Sequence, residues 1–380
     1  MPADNTAPRA WTDSVTVRNP VTLPSTLQAQ RIPIGVQGDY KPALVALPNG
    51  QLLLAMFLPI TNKDGTYEED TTLYRSGDGG QTWDSGTPLP GLGREAYFTL
   101  LSDGTLLMTA SVISTDYRNT TGYTYAVLYR SSDGGVTWTS TNIQSADAPG
   151  GTTVVTSRNV LELADGTLML GVGAKPRSEY LWRSHDMGLT WDKTLVPADP
   201  PAPFNEAANT IPWVQELVLS QAGNGDLLGI ARVYCTAVPA IATLPKDCAG
   251  NDLETLDVLL RSHDGGQTWT LDPPLGTTYG EMYASLRPLP NNRVLFTYTV
   301  RSLGSPLGVN AVFGTESASG FLLTLTSDVL LLDAETPSTQ PSGGGFGNTV
   351  QASDGTFVTS YSYRAGNGNT YAAVVRWKLP

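Results

Sequence analysis

Histidine is almost missing from this chain. His185 and His263 are the only two among 380 residues. Both sit inside copies of one short repeated motif. That disfavours a Ser-His-Asp hydrolase, a His-ligated zinc site and a lyase with a histidine base. The chemistry left is that of carboxylates, tyrosine, lysine and arginine. Long apolar runs are missing too, and no stretch of 18 such residues is present to span a membrane. No segment keeps the 3.6-residue periodicity of a long helix. Basic residues are scarce, 23 Lys and Arg against 35 Asp and Glu, for a net charge of -12. A nucleic acid or an anionic membrane surface needs a basic footprint, so neither is an expected partner. Cysteine is limited to Cys235 and Cys248, which flank a proline-containing segment. A disulfide closing that loop is the favoured reading, with two free thiols as the alternative. A disulfide implies an oxidising compartment. One glycosylation sequon, Asn119-Thr120-Thr121, points the same way. A secreted or extracellular protein is therefore expected, although Met1 to Asn5 open no basic and apolar leader.

Glycine and proline are plentiful, at 39 and 27 residues, and favour turns and short strands over helices. An octapeptide recurs four times: Ser76 to Trp83, Ser131 to Trp138, Ser184 to Trp191 and Ser262 to Trp269. Each copy reads Ser-x-Asp-x-Gly-x-Thr-Trp and follows an arginine and an apolar run. Asp can accept from the amides of the turn, Gly allows positive φ, and Trp packs between neighbouring units. The expected form is a hairpin turn with Thr-Trp opening the return strand. A second repeat runs in step with it, an Asn/Asp turn between two apolar strands. Its turns are Asn49-Gly50, Asp103-Gly104, Asp165-Gly166, Asn224-Gly225, Asn291-Asn292 and Asp354-Gly355. Successive turns are 54, 62, 59, 67 and 63 residues apart. Six turns predict an all-β chain, a six-bladed β-propeller of four-stranded antiparallel blades over residues 1–380 as one domain. A β-solenoid is the alternative, but its repeats are shorter. Unit five keeps only a degenerate octapeptide, Glu316 to Gly320. Unit six ends on a third strand, Tyr371 to Trp377. Its fourth strand is expected from the N-terminal stretch Asp13 to Val17 or Gln30 to Ile34, which removes free sheet edges.

The octapeptide is identified as the Asp-box of the sialidase superfamily, which the chain resembles over nearly its whole length. The resemblance implies that the boxes lie on the rim and that their Asp residues are structural. It places the active site on the other face, near the starts of the first strands and the ends of the second. Lys41, Glu95, Ser157, Glu216, Tyr283 and Phe346 each stand eight residues before a turn and form the expected polar ring. Asp39, Tyr40, Arg94, Arg158 and Glu281 lie beside them. Arg232 and Arg301 stand near the ends of second strands. Each also has a plain structural reading; Lys41 and Glu95, for instance, are expected to pair with one another if they do not serve a substrate.

Carried over residue by residue, Glu216 matches the family's fourth-blade glutamate and Arg232 its second arginine. The first arginine falls on Tyr40 or Lys41. Arg31-Ile32-Pro33 spells the family element but lies too far upstream. The third arginine falls at Gly308-Val309-Asn310, and the tyrosine nucleophile falls on Phe346, which has no hydroxyl. The chain thus departs from a competent sialidase. Three readings follow. The first is an exo-acting glycoside hydrolase on the chain end of an oligosaccharide or polysaccharide. Its catalytic candidates are Glu216, Glu95, Tyr283, Glu281 and Asp39, and its substrate-binding candidates are Arg232, Lys41, Arg94, Arg158, Arg301 and Tyr40, with no cofactor and no metal. The second is a uronate lyase with Tyr283 or Lys41 as base and Arg232 on the carboxylate. The third is a non-catalytic glycan-binding propeller. Under the first two, Lys41 and Arg232 are available for one acidic group of the substrate.

Overall fold

The computed structural model describes residues 10–149, 151–176, 178–198, 217–234, 255–271, 281–300, 307–317, 320–333 and 345–380. Glu216, Arg301, Cys235 and Cys248 lie outside them. Among the described residues there is no helix, and every regular element is a strand. No described helix is therefore long and apolar enough to cross a membrane.

Four sheets have four strands each. The first contains Tyr40–Ala46, Leu52–Thr61, Tyr67–Ser76 and Thr87–Pro88 in chain order. The second contains Arg94–Leu100, Leu106–Val112, Tyr125–Ser131 and Thr139–Ile143, and the fourth contains Val218–Gln221, Leu227–Tyr234, Thr255–Ser262 and Thr270–Leu271. In the third the first strand is broken. Gly151–Thr156 and Leu161–Glu162 both pair with Leu168–Pro176, which also pairs with Ser178–Ser184. The Asn/Asp turns link the first two strands of each sheet, where a glycine such as Gly50 or Gly104 takes the positive φ that the turn requires.

The strands expected for units five and six join one ten-stranded sheet. Glu281–Leu289, Arg293–Val300 and Gly308–Ser317 lead to Val329–Leu331, which pairs with Asp13–Arg18. Asp13–Arg18 pairs in turn with Thr26–Ile34, and that strand pairs with the C-terminal Thr370–Trp377. Both N-terminal candidates are thus used. The segment around Gln30 completes the last unit, and the segment around Val15 joins it to the one before. At the degenerate octapeptide, Glu316 and Ser317 end the strand that begins at Gly308, and Gly320–Leu323 pairs back with that strand.

The four octapeptides share one set of bonds. In the first, Gly80 N–H donates to Ser76 Oγ at 2.8 Å. The amides of Gln81 and Thr82 both donate to Asp78 Oδ1 at 2.9 Å, and Thr82 Oγ1 donates to Asp78 Oδ2 at 2.6 Å. Asp133, Asp186 and Asp264 repeat the threonine contact. The Thr268 hydroxyl and then its amide hold Asp264 down at about 2. The tryptophan closes the turn rather than opening the strand. Trp83 and Trp269 donate to the carbonyls of Gly80 and Gly266, and the return strands begin only at Thr87 and Thr270.

Two of the arginines that precede an octapeptide, together with Arg376 of the last strand, reach a neighbouring octapeptide. Arg183 donates to Gly265 O at 2.8 Å, Arg376 donates to Gly79 O at 2.8 Å, and Arg130 donates to Met187 O. All three acceptors are the fourth residue of an octapeptide. Adjacent first strands are stapled as well. Asn348 donates to Leu44 O at 2.6 Å and accepts from Leu44 N–H at 2.8 Å, and Asn159 does the same with Leu219 at 2.9 and 2.8 Å.

The described residues fall into two compact units. One holds residues 10–96, 282–315 and 322–380, and the other holds the described parts of 97–281 together with 320 and 321 and the strand end 316–317. In the first unit, Ile32, Leu44, Leu54, Met56, Trp83, Val350 and Val374 form one buried cluster. Trp377 stacks on Phe357 in another, with ring centroids 4.4 Å apart. In the second unit, Leu107, Val154, Leu170 and Trp182 share a core, and Met169, Leu217, Leu260 and Trp269 share another. Side chains of this kind stabilise by about 1.5–3 kcal/mol each on full burial.

Candidate functional site

Four of the six residues that stand eight before a turn share an unusual backbone. Lys41, Glu95, Tyr283 and Phe346 have φ of 49°, 54°, 61° and 60°. Left-handed backbone costs a non-glycine residue roughly 1–3 kcal/mol and persists only where the surroundings enforce it. Here hydroxyl groups take over the displaced amides. Lys41 N–H donates to Ser362 Oγ at 3.3 Å, and Phe346 N–H donates to Thr299 Oγ1 at 3.1 Å. Ser362 and Thr299 each stand eight residues after the turn of their own strand pair. Between Tyr40 and Ala43 the register of the first sheet shifts. A bulge of this kind breaks the alternation of faces along a strand. Two consecutive side chains then reach one cluster, Tyr40 with Lys41 and Arg94 with Glu95. Ser157, the third-sheet equivalent, is not left-handed. Its hydroxyl instead accepts from Gly171 N–H at 3.0 Å within its own sheet.

The cluster lies wholly within the first compact unit and centres on Glu95. Its Oε1 accepts from Lys41 Nζ at 2.5 Å and from an Arg94 terminal nitrogen at 2.6 Å. Its Oε2 accepts from the Tyr283 hydroxyl at 2.9 Å. Lys41 Nζ also donates to the Tyr283 oxygen at 2.6 Å, which closes a three-membered ring of hydrogen bonds. Burial alone would raise the Glu95 carboxyl. The charges of Lys41 and Arg94, with the bonds from Lys41 and Tyr283, outweigh it and hold the group well below the usual carboxylate range. Glu95 is therefore ionised near neutral pH. It keeps 23 % of its side chain exposed, against 11 % for Lys41.

Aromatic rings and a second ion pair hold the cluster. Phe346 meets Tyr283 edge-on at 4.2 Å and Tyr40 at 5.0 Å, and Lys41 Nζ lies 4.5 Å above the Phe346 ring. Arg94 lies over Phe57 at 4.9 Å and reaches the buried Glu69 at 3.2 Å. Glu69 also accepts from the Tyr67 hydroxyl at 2.7 Å. The sequence pattern did not single out Glu69 or Tyr67, because both belong to the third strand of their sheet and no turn-counting rule points there.

The other candidates stand elsewhere. Asp39 turns back on its own loop and accepts from Val36 N–H at 2.5 Å. A side chain at Gly35 would meet its carboxylate oxygen at 2.0 Å, so the loop needs glycine there. Burial raises Asp39 to about 6, against the Val36 amide. Arg31 is bound to Asp13 at 2.7 Å and to the carbonyl of Leu332, and its strand closes the sheet. In the second compact unit, Arg158 lies over the Tyr97 ring at 4.8 Å. Arg232 is buried, and its Nε donates to Thr255 Oγ1 at 3.1 Å. Glu281 begins its strand two residues before Tyr283, and its side chain is not among those described. Among the described residues no group of three or more His, Cys, Asp or Glu is arranged to hold a metal ion.

The fold has known relatives. It is similar to a protein of unknown function from Dyadobacter fermentans, with a TM-score of 0.64 and 19 % identity over 97 % of this chain and 98 % of that one. It is similar to the intramolecular trans-sialidase of Ruminococcus gnavus, solved with oseltamivir carboxylate, with a TM-score of 0.57 and 12 % identity over 90 % and 94 % of the two chains. It is also similar to the α-L-arabinanase of Penicillium chrysogenum, solved with arabinobiose, with a TM-score of 0.54 and 14 % identity over 95 % and 98 %. No curated protein matches the sequence. Residues 9–209, more than half of the chain, match the BNR repeat-like domain. The repeated octapeptide turns, the all-β sheets and this match together make the chain a member of the BNR repeat-like family.

Proposed function

We propose that the protein is an exo-acting glycoside hydrolase on a single six-bladed propeller, working outside the cell, with Glu95 as its ionised catalytic carboxylate. The observation that carries this reading is the triple clamp of Lys41, Arg94 and Tyr283 on Glu95. Cleavage of a glycosidic bond needs one carboxyl that donates a proton and one that stays ionised, as nucleophile or as base towards water. Glu95 has the second property and is the more exposed of the Lys41–Glu95 pair. A carboxylate held this far below its ordinary range is a poor proton donor, so the acid is a different group. From its place in the sequence, eight residues before a turn, Glu216 is the candidate for that role. In such a reaction the acid's proton goes to the departing glycosidic oxygen as the anomeric bond breaks, and Glu95 supplies the electron pair directly or takes a proton from the attacking water. Tyr283 and Lys41 orient Glu95 and keep it charged. The similarity in fold to a trans-sialidase and to an arabinanase solved with arabinobiose supports a carbohydrate as substrate.

The test is a screen of 4-methylumbelliferyl glycosides and oligosaccharides with wild type, Glu95→Gln and Glu216→Gln. Turnover that vanishes in both variants supports the proposal. Turnover that survives Glu95→Gln refutes it, and absorbance near 235 nm (roughly) from an unsaturated product would indicate a lyase instead.

A second reading, a non-catalytic glycan-binding propeller, is favoured by one observation. The charges of Lys41, Arg94, Glu95 and Glu69 pair off within the cluster, and Tyr283 is only 3 % exposed. Glycan binding without turnover, unchanged by Glu95→Gln, would establish it.

A further inference from the structure

The cluster also bears on the charge of the substrate. Every described cation that the sequence offered for an acidic sugar already has a partner. Lys41 is bound to Glu95 at 2.5 Å and to Tyr283 at 2.6 Å. Arg94 is shared between Glu95 at 2.6 Å and Glu69 at 3.2 Å, with its guanidinium over the Phe57 ring. Within the second compact unit Arg158 lies over Tyr97. Arg232 is buried, bonded to Thr255 and opposite Asp257 in the strand register.

An incoming carboxylate would gain little by exchange. To bind Lys41 or Arg94 it must displace Glu95 or Glu69, one carboxylate for another. Glu69 is 3 % exposed, so losing Arg94 would leave a buried charge uncompensated. A carboxylate that does not displace Glu95 lies close to it instead, and the two negative charges repel in a partly water-excluded site. The two cations and two carboxylates cancel, so the cluster offers no net positive charge to an acid.

We propose that the glycosyl unit bound at Glu95 is uncharged, a neutral pentose or hexose rather than a uronic or sialic acid. This rests on the reading of Glu95 as a catalytic carboxylate, and it reverses the expectation that Lys41 and Arg232 serve an acidic group.

The experiment uses matched pairs of 4-methylumbelliferyl glycosides that differ only in charge, β-glucoside with β-glucuronide and α-galactoside with α-galacturonide. The α-L-arabinofuranoside and the α-N-acetylneuraminide are added, and wild type is compared with Glu95→Gln. The expected result is Glu95-dependent turnover confined to neutral members, with kcat/KM higher than for the acidic partner by roughly 100-fold or more. The kcat/KM for neutral members should also be insensitive to salt. Glu95-dependent turnover that prefers a uronide or the neuraminide would overturn the charge assignment and leave the hydrolase reading standing. If no glycoside is cleaved, the hydrolase reading falls. Saturation-transfer NMR with glucose, galactose, arabinose, glucuronate and N-acetylneuraminate then decides the charge of the ligand. Contact with the neutral sugars, lost in Lys41→Met, supports the assignment, and contact only with the acids overturns it.

Discussion

Replacing Glu95 with Gln keeps the shape of the clamp and removes its charge. The amide oxygen can still accept from Lys41 and Arg94, but both contacts weaken from charge-assisted to ordinary bonds. The amide nitrogen then faces the Tyr283 hydroxyl, which had donated at 2.9 Å. Breaking a fully buried pair costs about 3–5 kcal/mol, and hydrogen bonds to charged groups are worth about 1.5–3 kcal/mol each. Glu95 is 23 % exposed and Gln keeps an acceptor, so the expected loss at pH 7 is about 2–3 kcal/mol. The dependence on pH has a definite sign. The folded-state pKa of Glu95 is depressed below its ordinary 4.5. Its stabilisation is therefore complete above the unfolded value and is lost as pH falls towards the folded one, by about 1.4 kcal/mol per pH unit. At pH 3 about 2 kcal/mol should have gone, and wild type and variant should nearly coincide. The assay is urea unfolding of both proteins from pH 7 down to pH 3. Acidic groups common to the two proteins cancel in the difference. A gap that does not change with pH, or a variant as stable as wild type at pH 7, would refute the ionised clamp.

Three further substitutions separate scaffold from site. Asp78→Ala removes the acceptor for two amides and the Thr82 hydroxyl, so stability should fall by about 1–3 kcal/mol in urea unfolding while kcat of the folded fraction is unchanged. Arg376→Met leaves the Gly79 carbonyl and the Gln30 side chain without a buried donor, and about 2–4 kcal/mol should be lost, again without an effect on kcat. Glu69→Ala frees one side of Arg94 and should lower kcat by about 10-fold with KM little changed, whereas Glu69→Gln, which keeps an acceptor, should recover most of the rate. An effect of Glu69→Ala on unfolding alone would make Glu69 purely structural.

The scaffold was legible in the sequence because its bonds are local. Asp78 binds residues three and four positions on, so a short motif is enough to specify the turn. The Asn/Asp turns then fixed the frame, and counting back eight residues reached Lys41, Glu95, Tyr283 and Phe346 without structural information. That count assumed that side chains alternate along each strand. The left-handed residues at these positions break the alternation, so Arg94 joins Glu95 while Asp39 folds back on Val36. Nothing in the local composition signals that kink, since the hydroxyls that receive the Lys41 and Phe346 amides come from other strands. Glu69 and Tyr67 were hidden for a related reason. Glu69, which accepts from Tyr67, pairs with Arg94 from a different sheet, a contact that no count along one strand pair reveals. The merging of the last two units through Asp13–Arg18 also depends on pairing over more than 300 residues, which repeat spacing does not reveal.

Chemical rescue tests the central claim most directly. Glu95→Ala removes the catalytic carboxylate and leaves a space beside Tyr283 and Lys41 that a small anion can enter. With the best neutral glycoside from the screen, this variant should be inactive in buffer. Added azide should restore turnover and yield a glycosyl azide, which wild type does not form. Wild-type turnover by Glu95→Ala, or a lost activity that neither azide nor formate restores, would contradict the assignment of Glu95 as the catalytic carboxylate.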